Sequence, residues 1–447
     1  MIDLDRVLPT ARAALDALVR IPSVSADPTA DLRRTAALTA TLFRDAGMPE
    51  VEILDDIPGG RPAVLARHPA PPGRPTVLLY AHHDVQPAGE LAEWTSRPFE
   101  PSERDGRLFG RGTADDKSGI AAHLAAVLAH CGRPPVGVTV LVEGEEEISS
   151  PTLGALLARH RDRLAADVIV LADAENLELG TPAFTTTLRG TAACVVELRT
   201  LETGVHSGSF GGAAPDALTA LCRLLATLHD EHGDVAVAGL GTGAVPAFDY
   251  PVPRFRAEAG VLDAVTLHGT GSVTERVWAR PAVSVLAVDA TPVADASNTL
   301  APVAKAKVGM RIAPGDDAVR AGAALAEHLT THAPWGARVS VTVTEVAQPH
   351  CVDTSGWQFA AAGRAYRNAY GRDVIHIGSG GSIPFVGEFA AAFPSAAILI
   401  TSAGADNDSR AHGADESVHL AEFERACLAE ALLLAELGRK SENGSPE

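Results

Sequence analysis

Side chains that bind divalent metals stand at a few separated positions of the chain. They are His82 with Asp84, Asp115, Glu146 with Glu147, Asp173 and, much later, His412. Imidazole and carboxylate ligands without thiolates favour zinc, with manganese or cobalt as alternatives. A metal-activated water beside a free carboxylate is the usual arrangement for hydrolysing an amide bond. These residue types therefore predict a hydrolase that uses two metal ions.

The same residues lie where predicted strands end. Apolar, β-rich runs occupy Thr76–Tyr80, Val138–Val142 and Val168–Leu171. They are followed by His82 and Asp84, by the acidic run Glu143–Glu147, and by Asp173. In an open α/β sheet the functional crevice lies outside the carboxyl ends of the strands, so side chains distant in sequence converge there. We expect these side chains to form one site.

The elements that must position the site alternate between strand and helix. Helical periodicity occurs near Leu8–Arg20, near Leu32–Ala46 and at Lys117–His130. Such alternation predicts an α/β domain with a mostly parallel sheet and flanking helices. The strand Ala396–Thr401 and His412 return to this pattern near the end of the chain.

The middle of the chain follows another pattern. Three alternating strands (ACVVELRT, AKAKVGMRI and RVSVTVTEV) are combined with two amphipathic segments, Pro215–His232 and Asp317–His332. We predict a catalytic domain formed by residues 1–187 and 346–447, interrupted by a smaller α+β domain at residues 188–345. The inserted domain is expected to act as a lid and to form a dimer contact.

Composition excludes several protein classes. The chain has 447 residues, is 46% hydrophobic and carries a formal charge of −19. An acidic chain of this kind argues against nucleic-acid or anionic-membrane partners, because both require clustered Lys and Arg. The five cysteines contain no C-x-x-C pair, and the N-terminus lacks the features of a signal peptide. We expect a soluble, cytoplasmic protein.

Each candidate also has a purely structural interpretation. His82 and Asp84 point to one side of an extended chain, so Asp84 is placed to orient a ligating His82. Asp115-Asp116 opens a helix and could serve as an N-cap with a first-turn acid. The run Glu143–Glu147 could be a solvated acidic loop. It is the combination that favours a metal site.

Six longer sequence motifs, spread along nearly the whole chain, include these candidate residues. They are YAHHDVQPA, RLFGRGTADDKSG, LVEGEEEISS, LADAENLELGTPAFTTTLRG, GVHSGSFGGAAPDAL and SRAHG. In content and order they resemble the M20 metallopeptidase family, especially its carnosinase-like dipeptidases. One departure is Ser149, where the family usually has glycine after Glu-Glu-Ile.

The resemblance implies a ligand set. His82, Asp173 and Asp115 would hold one metal, Glu147, His412 and Asp115 the other, with two Zn²⁺ per chain and Asp115 as the bridge. Glu146 would be the general base, and Asp84 the partner of His82. Two divalent cations carry four positive charges, of which the three ligand carboxylates neutralise three. The resemblance also implies a cis peptide bond between Asp115 and Asp116.

Further residues match substrate contacts of the family. His206 resembles the histidine that polarises the scissile carbonyl from the lid of a partner subunit, which implies a homodimer. Arg311 resembles the arginine that pairs with the substrate carboxylate. Gly380, Gly381 and Ser382 resemble a loop that receives the same carboxylate, and Asn298 and Thr299 are further substrate-binding candidates. The apolar helix face with Leu218, Leu221, Leu225 and Leu228 either pairs with a copy of itself or packs on the lid's own sheet, with dimerisation then through a neighbouring edge strand.

Three functions compete at this point. A dizinc dipeptidase would cleave short peptides that carry a free C-terminal carboxylate. An N-acyl-amino-acid deacylase or desuccinylase would use the same chemistry on another acyl group. A catalytically silent, metal-stabilised scaffold would have no reason to keep Glu146, which is not a ligand. The strings DVQP and DDK favour the dipeptidase.

Overall fold

The computed structural model describes residues 2, 4–28, 30–381 and 383–439. The helices in these ranges are α1 (Leu8–Val19), α2 (Leu32–Asp45), α3 (Lys117–Ala129), α4 (Leu153–Arg159), α5 (Arg161–Leu164), α6 (Ser207–Phe210), α7 (Ala217–Ala226), α8 (Val252–Glu258), α9 (Ala318–Thr331), α10 (Trp357–Tyr370), α11 (Pro384–Ala392) and α12 (Leu420–Leu437). None of these described helices has both the length and the apolar character needed to cross a bilayer.

The strands are β1 (Glu50–Leu54), β2 (Ala63–His68), β3 (Thr76–His82), β4 (Ser102–Arg104), β5 (Arg107–Phe109), β6 (Gly137–Glu143), β7 (Val168–Leu171), β8 (Ala183–Leu188), β9 (Gly190–Arg199), β10 (Val205–His206), β11 (Ala282–Asp289), β12 (Thr299–Leu300), β13 (Val303–Ile312), β14 (Arg338–Ala347), β15 (His350–Cys351), β16 (Ile375–Ser379), β17 (Ala397–Ile400) and β18 (Ser417–His419).

The chain divides into two compact units. Unit 1 comprises Met1–Thr186, Val352–His376 and Pro384–Glu447, and unit 2 comprises Thr187–Cys351 and Ile377–Ile383. The metal-type ligands predicted from the sequence all belong to unit 1, whereas His206, Arg311 and the glycine-rich loop belong to unit 2.

Unit 1 is built on a six-stranded sheet with the order β1–β2–β6–β3–β7–β17. Strands β6, β3, β7 and β17 run parallel to their neighbours in this part of the sheet, and β1 and β2 add an antiparallel edge. The parallel strands are buried on both faces, which explains their continuous apolar sequences. The predicted α/β class with a mostly parallel sheet is confirmed.

Helices cover both faces of this sheet. Successive strand residues point to opposite faces, and Leu79 packs in a cluster with Ile120 and Leu124 of α3. Tyr80, the next residue, packs instead against Phe385 and Phe389 of α11, with ring centroids 4.7 and 5.1 Å away. The central strand β3 is thereby fixed from both sides, and the position of its carboxyl end with it.

Aspartate caps explain where several helices begin. Asp31, Asp116, Asp216 and Asp317 each accept a hydrogen bond from the backbone N–H three residues later, at the start of α2, α3, α7 and α9. A short carboxylate at this position satisfies a donor that has no partner inside the helix. The cap at Asp116 fixes the start of α3 immediately after Asp115.

Unit 2 contains a four-stranded antiparallel sheet with the order β11–β13–β9–β14. The apolar face of α7 is buried on this sheet: Leu221 and Leu228 lie in the core of the unit, and Leu218 and Leu225 pack against it. Of the two arrangements open for this helix face, the structure contains packing on the sheet of unit 2 itself.

Candidate metal centre

Asp115 lies between two histidines that are far apart in sequence. Its Oδ1 is 2.9 Å from Nε2 of His82, at the end of β3, and its Oδ2 is 2.9 Å from Nε2 of His412. The Asp115–Asp116 peptide bond is cis, as the resemblance implied. One carboxylate therefore faces two imidazoles through different oxygens, which is the geometry of a bridging ligand.

Two more carboxylates complete the cluster. Oδ2 of Asp173, which follows β7, is 3.8 Å from Nε2 of His82. Oε2 of Glu147 is 3.1 Å from Nε2 of His412. The structure brings together all five ligands predicted from the sequence. Three of them, His82, Glu147 and Asp173, follow or end the adjacent parallel strands β3, β6 and β7.

The donor set fits a pair of divalent cations. His82, Asp115 and Glu147 each offer a ligand atom within 4.8 Å of the others, and His82, Asp116 and Asp173 form a second such group. Nitrogen and oxygen donors at this density, with three to four carboxylates among them, suit ions of the zinc, manganese or cobalt type.

Asp116 was not predicted to belong to the cluster. Its Oδ1 accepts from the backbone N–H of Gly119 as the cap of α3, and its Oδ2 accepts from the backbone N–H of His82 at 3.3 Å. The carboxylate thus ties the start of α3 to the end of β3. The sequence indicated the cap, but a second contact to another strand has no local signature.

Asp84 contacts both His82 and the turn that carries Glu146 and Glu147. Nδ1 of His82 is 3.4 Å from Oδ1 of Asp84 and 3.1 Å from its backbone carbonyl. The same carboxylate accepts from the backbone N–H groups of Glu146 and Glu147, at 3.2 and 3.0 Å. Asp84 therefore lies beside the imidazole of His82 and also holds the turn that carries both glutamates.

The acidic run after β6 is not a solvated loop. Oε2 of Glu143 accepts from the buried hydroxyl of Tyr80 at 2.7 Å, and Glu145 accepts from the backbone N–H groups of Arg61 and Thr152. Their carboxylates serve the fold. Glu146 and Glu147, in a short 3₁₀ turn, are left to face the cluster.

The turn ends in two residues with left-handed backbone. Ser149 has φ +70° and Ser150 has φ +46°. The family's usual glycine at the position of Ser149 adopts such a conformation without a steric cost, whereas serine does not. The departure noted in the sequence therefore falls on a strained residue directly behind Glu147.

Crowded charges shift the acidities of the cluster. Burial raises the pKa of Glu146 to about 9, with Asp173 and Asp115 contributing. Burial also raises the pKa of Asp173 to about 7, with further repulsion from Asp115. Hydrogen bonds with Asp115 and Glu147 raise the pKa of His412 to about 10. So many carboxylates at one point require positive charge beside them.

In unit 2, the structure brings three of the predicted substrate residues together. His206 of β10 pairs with Thr299 of β12, and the backbone N–H of Ser207 donates to the carbonyl of Asn298 at 2.8 Å. Nδ1 of His206 accepts from the backbone N–H of Gly208 at 3.1 Å, so its ring orientation is fixed while the side chain stays exposed.

The other predicted contacts in unit 2 lie on β13 and on the glycine-rich loop. Arg311 is exposed on β13. The carbonyl of Gly380 accepts from Nε of Arg189 at 3.1 Å, and the backbone N–H of Gly381 donates to Oγ of Ser379 at 3.2 Å. Arg311 also helps to lower the pKa of Arg189 to about 10, after the effect of burial. Ser382 lies outside the described residues.

Three supporting residues were missed by sequence reasoning. Gln86 contacts Glu147, and Arg111 and Glu416 contact the loops of Asp115 and His412. Gln86 and Arg111 lie within the motifs YAHHDVQPA and RLFGRGTADDKSG. Closeness in sequence to a predicted metal ligand was the only feature of the sequence that could have indicated their role.

A family model gives an independent view of the chain. The model of peptidase family M20/M25/M40 matches residues 78–436. This range includes every residue of the cluster described above. The resemblance found in the sequence is confirmed.

Relatives and solved structures are consistent with that match. The cysteinylglycine-S-conjugate dipeptidase of Corynebacterium striatum is 40% identical over 372 residues, with 82% of each chain covered. Human carnosine dipeptidase 1 is 25% identical, with 97% of each chain covered and a TM-score of 0.77. A metallo-carboxypeptidase from Sulfolobus solfataricus has a TM-score of 0.80 at 20% identity, covering 96% of this chain and 99% of its own.

Proposed function

The chain belongs to peptidase family M20/M25/M40 and is an M20-type metallodipeptidase, and from this premise we propose that it hydrolyses dipeptides or short peptides with a free C-terminal carboxylate at a dinuclear centre in unit 1. The observation that carries the proposal is the position of Asp115, whose two carboxylate oxygens each lie 2.9 Å from a different imidazole.

His82, Asp173 and Asp115 would hold one ion, and Asp115, Glu147 and His412 the other. Zinc is the metal that we propose, with manganese or cobalt as alternatives. When bound, two divalent ions polarise the scissile carbonyl and lower the pKa of water. Asp116 keeps its two backbone contacts in this assignment and fixes the segment that carries Asp115.

Glu146 is proposed as the general base. Its neighbour Glu147 is engaged with His412, whereas no described residue donates a hydrogen bond to the Glu146 carboxylate. Glu146 can take a proton from the attacking water and later deliver it to the leaving amine. Bound cations would oppose the effects of burial and of the neighbouring carboxylates that raise its pKa, so the carboxylate would be ionised in the loaded centre.

The substrate carboxylate is proposed to bind in unit 2. Arg311 offers a planar, permanently charged fork for a carboxylate. Gly380, Gly381 and Ser382 are proposed as further donors to the same carboxylate. Asn298 and Thr299 are proposed as further contacts. Their common location with His206 in unit 2 supports treating them as one set.

We also propose that unit 2 is a lid and that it forms a homodimer, with His206 acting on the site of the partner subunit. The apolar face of α7 is buried within unit 2, so a dimer requires another contact surface. Strand β11 is an edge of the sheet and exposes Val285, Leu286 and Val288. Such an edge supports an isologous pairing of two copies. We also propose a cytoplasmic location for the protein.

A substrate panel tests the proposed function. The metal-loaded protein is offered Cys-Gly, an S-substituted Cys-Gly, β-Ala-His, the C-terminal amides of these dipeptides, and N-succinyl and N-acetyl amino acids. We expect hydrolysis of free dipeptides, with the S-substituted Cys-Gly among the best because of the relative from Corynebacterium striatum. The amides should be poor substrates.

The alternatives make opposite predictions in the same panel. Preference for N-acyl amino acids would favour the deacylase. Binding of the metals without turnover of any compound would favour the silent scaffold. The variant Glu146→Gln serves as the inactive control and excludes hydrolysis by a contaminating peptidase.

A further inference from the structure

Glu416 gathers the backbone of the loop that carries Asp115. Its Oε1 accepts from the backbone N–H groups of Gly112, Ala114 and Asp115, at 3.0, 2.9 and 3.2 Å. The side chain is fully buried. Three donors on one carboxylate oxygen leave this loop little freedom to move.

Arg111 connects the same carboxylate to the loop of His412. Its Nη1 donates to Oε2 of Glu416 at 2.5 Å, and its Nη2 donates to the backbone carbonyl of His412 at 2.9 Å and to that of Pro87 at 3.1 Å. Arg111 is 1% exposed. One ion pair thus touches the backbones of two residues whose side chains meet.

The loop of His412 needs such support. Arg410, His412 and Asp415 have φ values of +53°, +65° and +55°. A residue other than glycine in this region costs on the order of 1–3 kcal/mol and persists only where its surroundings hold it. Arg111 binds the carbonyl of His412 itself, the residue in the middle of this strained segment.

We propose that the Arg111–Glu416 ion pair is a positioning device that sets the distance between Asp115 and His412 and so determines the affinity of the metal site that these two residues share with Glu147. This inference rests on the proposed dinuclear centre. Neither member touches the ligand side chains, so both act through the backbone. The site of His82 and Asp173 depends on them only through Asp115.

The competing explanation is that the pair merely stabilises the fold, as any buried ion pair with satisfied donors can. A matched control exists in the same region. Arg107 forms a bidentate ion pair with Asp406 and also donates to Ser409 and Ser417. None of these contacts involves Asp115, Glu147 or His412.

The test is a Zn²⁺ titration of the metal-free full-length protein in competition with a fluorescent chelator, which resolves two affinities. For Arg111→Met we expect one of the two affinities to fall 10- to 100-fold, the usual effect of removing a group that orients a ligand. The other affinity should change far less. Arg107→Met should leave both affinities unchanged, even if its thermal unfolding midpoint falls by as much as that of Arg111→Met.

A second variant keeps the test informative if Arg111→Met does not fold. In Arg111→Met/Glu416→Gln, no unpaired charge remains and the amide oxygen still accepts from the three N–H groups. It should fold and still show the selective loss at one site. Excess Zn²⁺ should then restore turnover.

The outcomes distinguish a failure of the dinuclear centre from a failure of the positioning role. If the wild type binds fewer than two Zn²⁺, the dinuclear centre itself fails. Two Zn²⁺ in the wild type with unchanged affinities in both Arg111 variants, or an equal loss in Arg107→Met, would overturn the positioning role and leave the centre intact.

Discussion

Gln86 holds both oxygens of the Glu147 carboxylate. Its backbone N–H donates to Oε1 at 3.0 Å, and its side-chain Nε2 donates to Oε2 at 2.9 Å and to the backbone carbonyl of Glu147 at 3.0 Å. The Glu147 side chain is 3% exposed. Contacts with Gln86 therefore set the orientation of this carboxylate toward His412.

Loss of this support should weaken metal binding. In Gln86→Leu the side-chain donor is removed while the backbone donor stays, so we expect a 10- to 100-fold loss of Zn²⁺ affinity, typical for residues that orient a ligand. The measurement is chelator competition on the folded variant. An affinity equal to that of the wild type would show that the backbone contact alone orients Glu147.

Glu146→Gln should separate metal binding from turnover. The amide keeps the shape of the side chain but cannot accept a proton, so kcat should fall by about 10²–10⁴-fold, the usual contribution of general acid–base catalysis. Metal content should remain that of the wild type. Near-normal turnover with full metal would reject the assignment of Glu146 as the base.

Features of the fold and of the site could be predicted from the sequence where they depend on residues that are close together in the chain. Strand ends at His82 and Asp173 follow from apolar runs, and the sheet then brings these residues together. The cap function of Asp116 is local as well, and the sequence indicates it. The family motifs pointed to Glu146 and Glu147 within the acidic run.

Contacts between distant segments were not predictable. Gln86 faces Glu147, and Arg111 faces Glu416, across 61 and 305 positions of the chain. Taken alone, Gln86 and Arg111 are ordinary polar residues outside the helices and strands, because no residue near them in sequence indicates their partners. His123 is a similar case, because no residue near it in sequence indicates that Glu430 of α12 is its partner.

The His123–Glu430 pair should make stability depend on pH. Nδ1 of His123 is 2.8 Å from Oε1 of Glu430, and Nε2 is 2.9 Å from the carbonyl of Tyr80. Burial alone would lower the pKa of His123, but the charge and hydrogen bond of Glu430 raise it above 6.5. The stabilisation is complete below the unfolded value of 6.5 and is lost as pH rises through the folded pKa.

The measurement compares the wild type with His123→Gln/Glu430→Gln, both metal-free, by chemical unfolding from pH 6 to pH 9. The difference in unfolding free energy should fall with rising pH, by at most about 1.4 kcal/mol per pH unit for one proton. Titrating groups elsewhere in the chain cancel in the difference. A difference that is constant or grows with pH would contradict the raised pKa.

Complementation between subunits tests the proposed role of His206. Protomers carrying Glu146→Gln and protomers carrying His206→Ala should each be nearly inactive. After subunit exchange, one site of each heterodimer receives both intact residues, so at most about a quarter of wild-type activity should return in an equal mixture. Absence of recovery, once mass spectrometry has shown heterodimers, would remove the action of His206 across the interface.

The central claim is that a dinuclear centre bridged by Asp115 hydrolyses dipeptides, and metal reconstitution tests it most directly. The chelated protein is titrated with Zn²⁺ while bound metal and hydrolysis of an S-substituted Cys-Gly are measured together, in the wild type and in Asp115→Ala. We predict that wild-type activity saturates at two equivalents per chain, and that Asp115→Ala binds neither ion tightly and is inactive. Full wild-type activity without metal, or two tightly bound equivalents in Asp115→Ala, would contradict the claim.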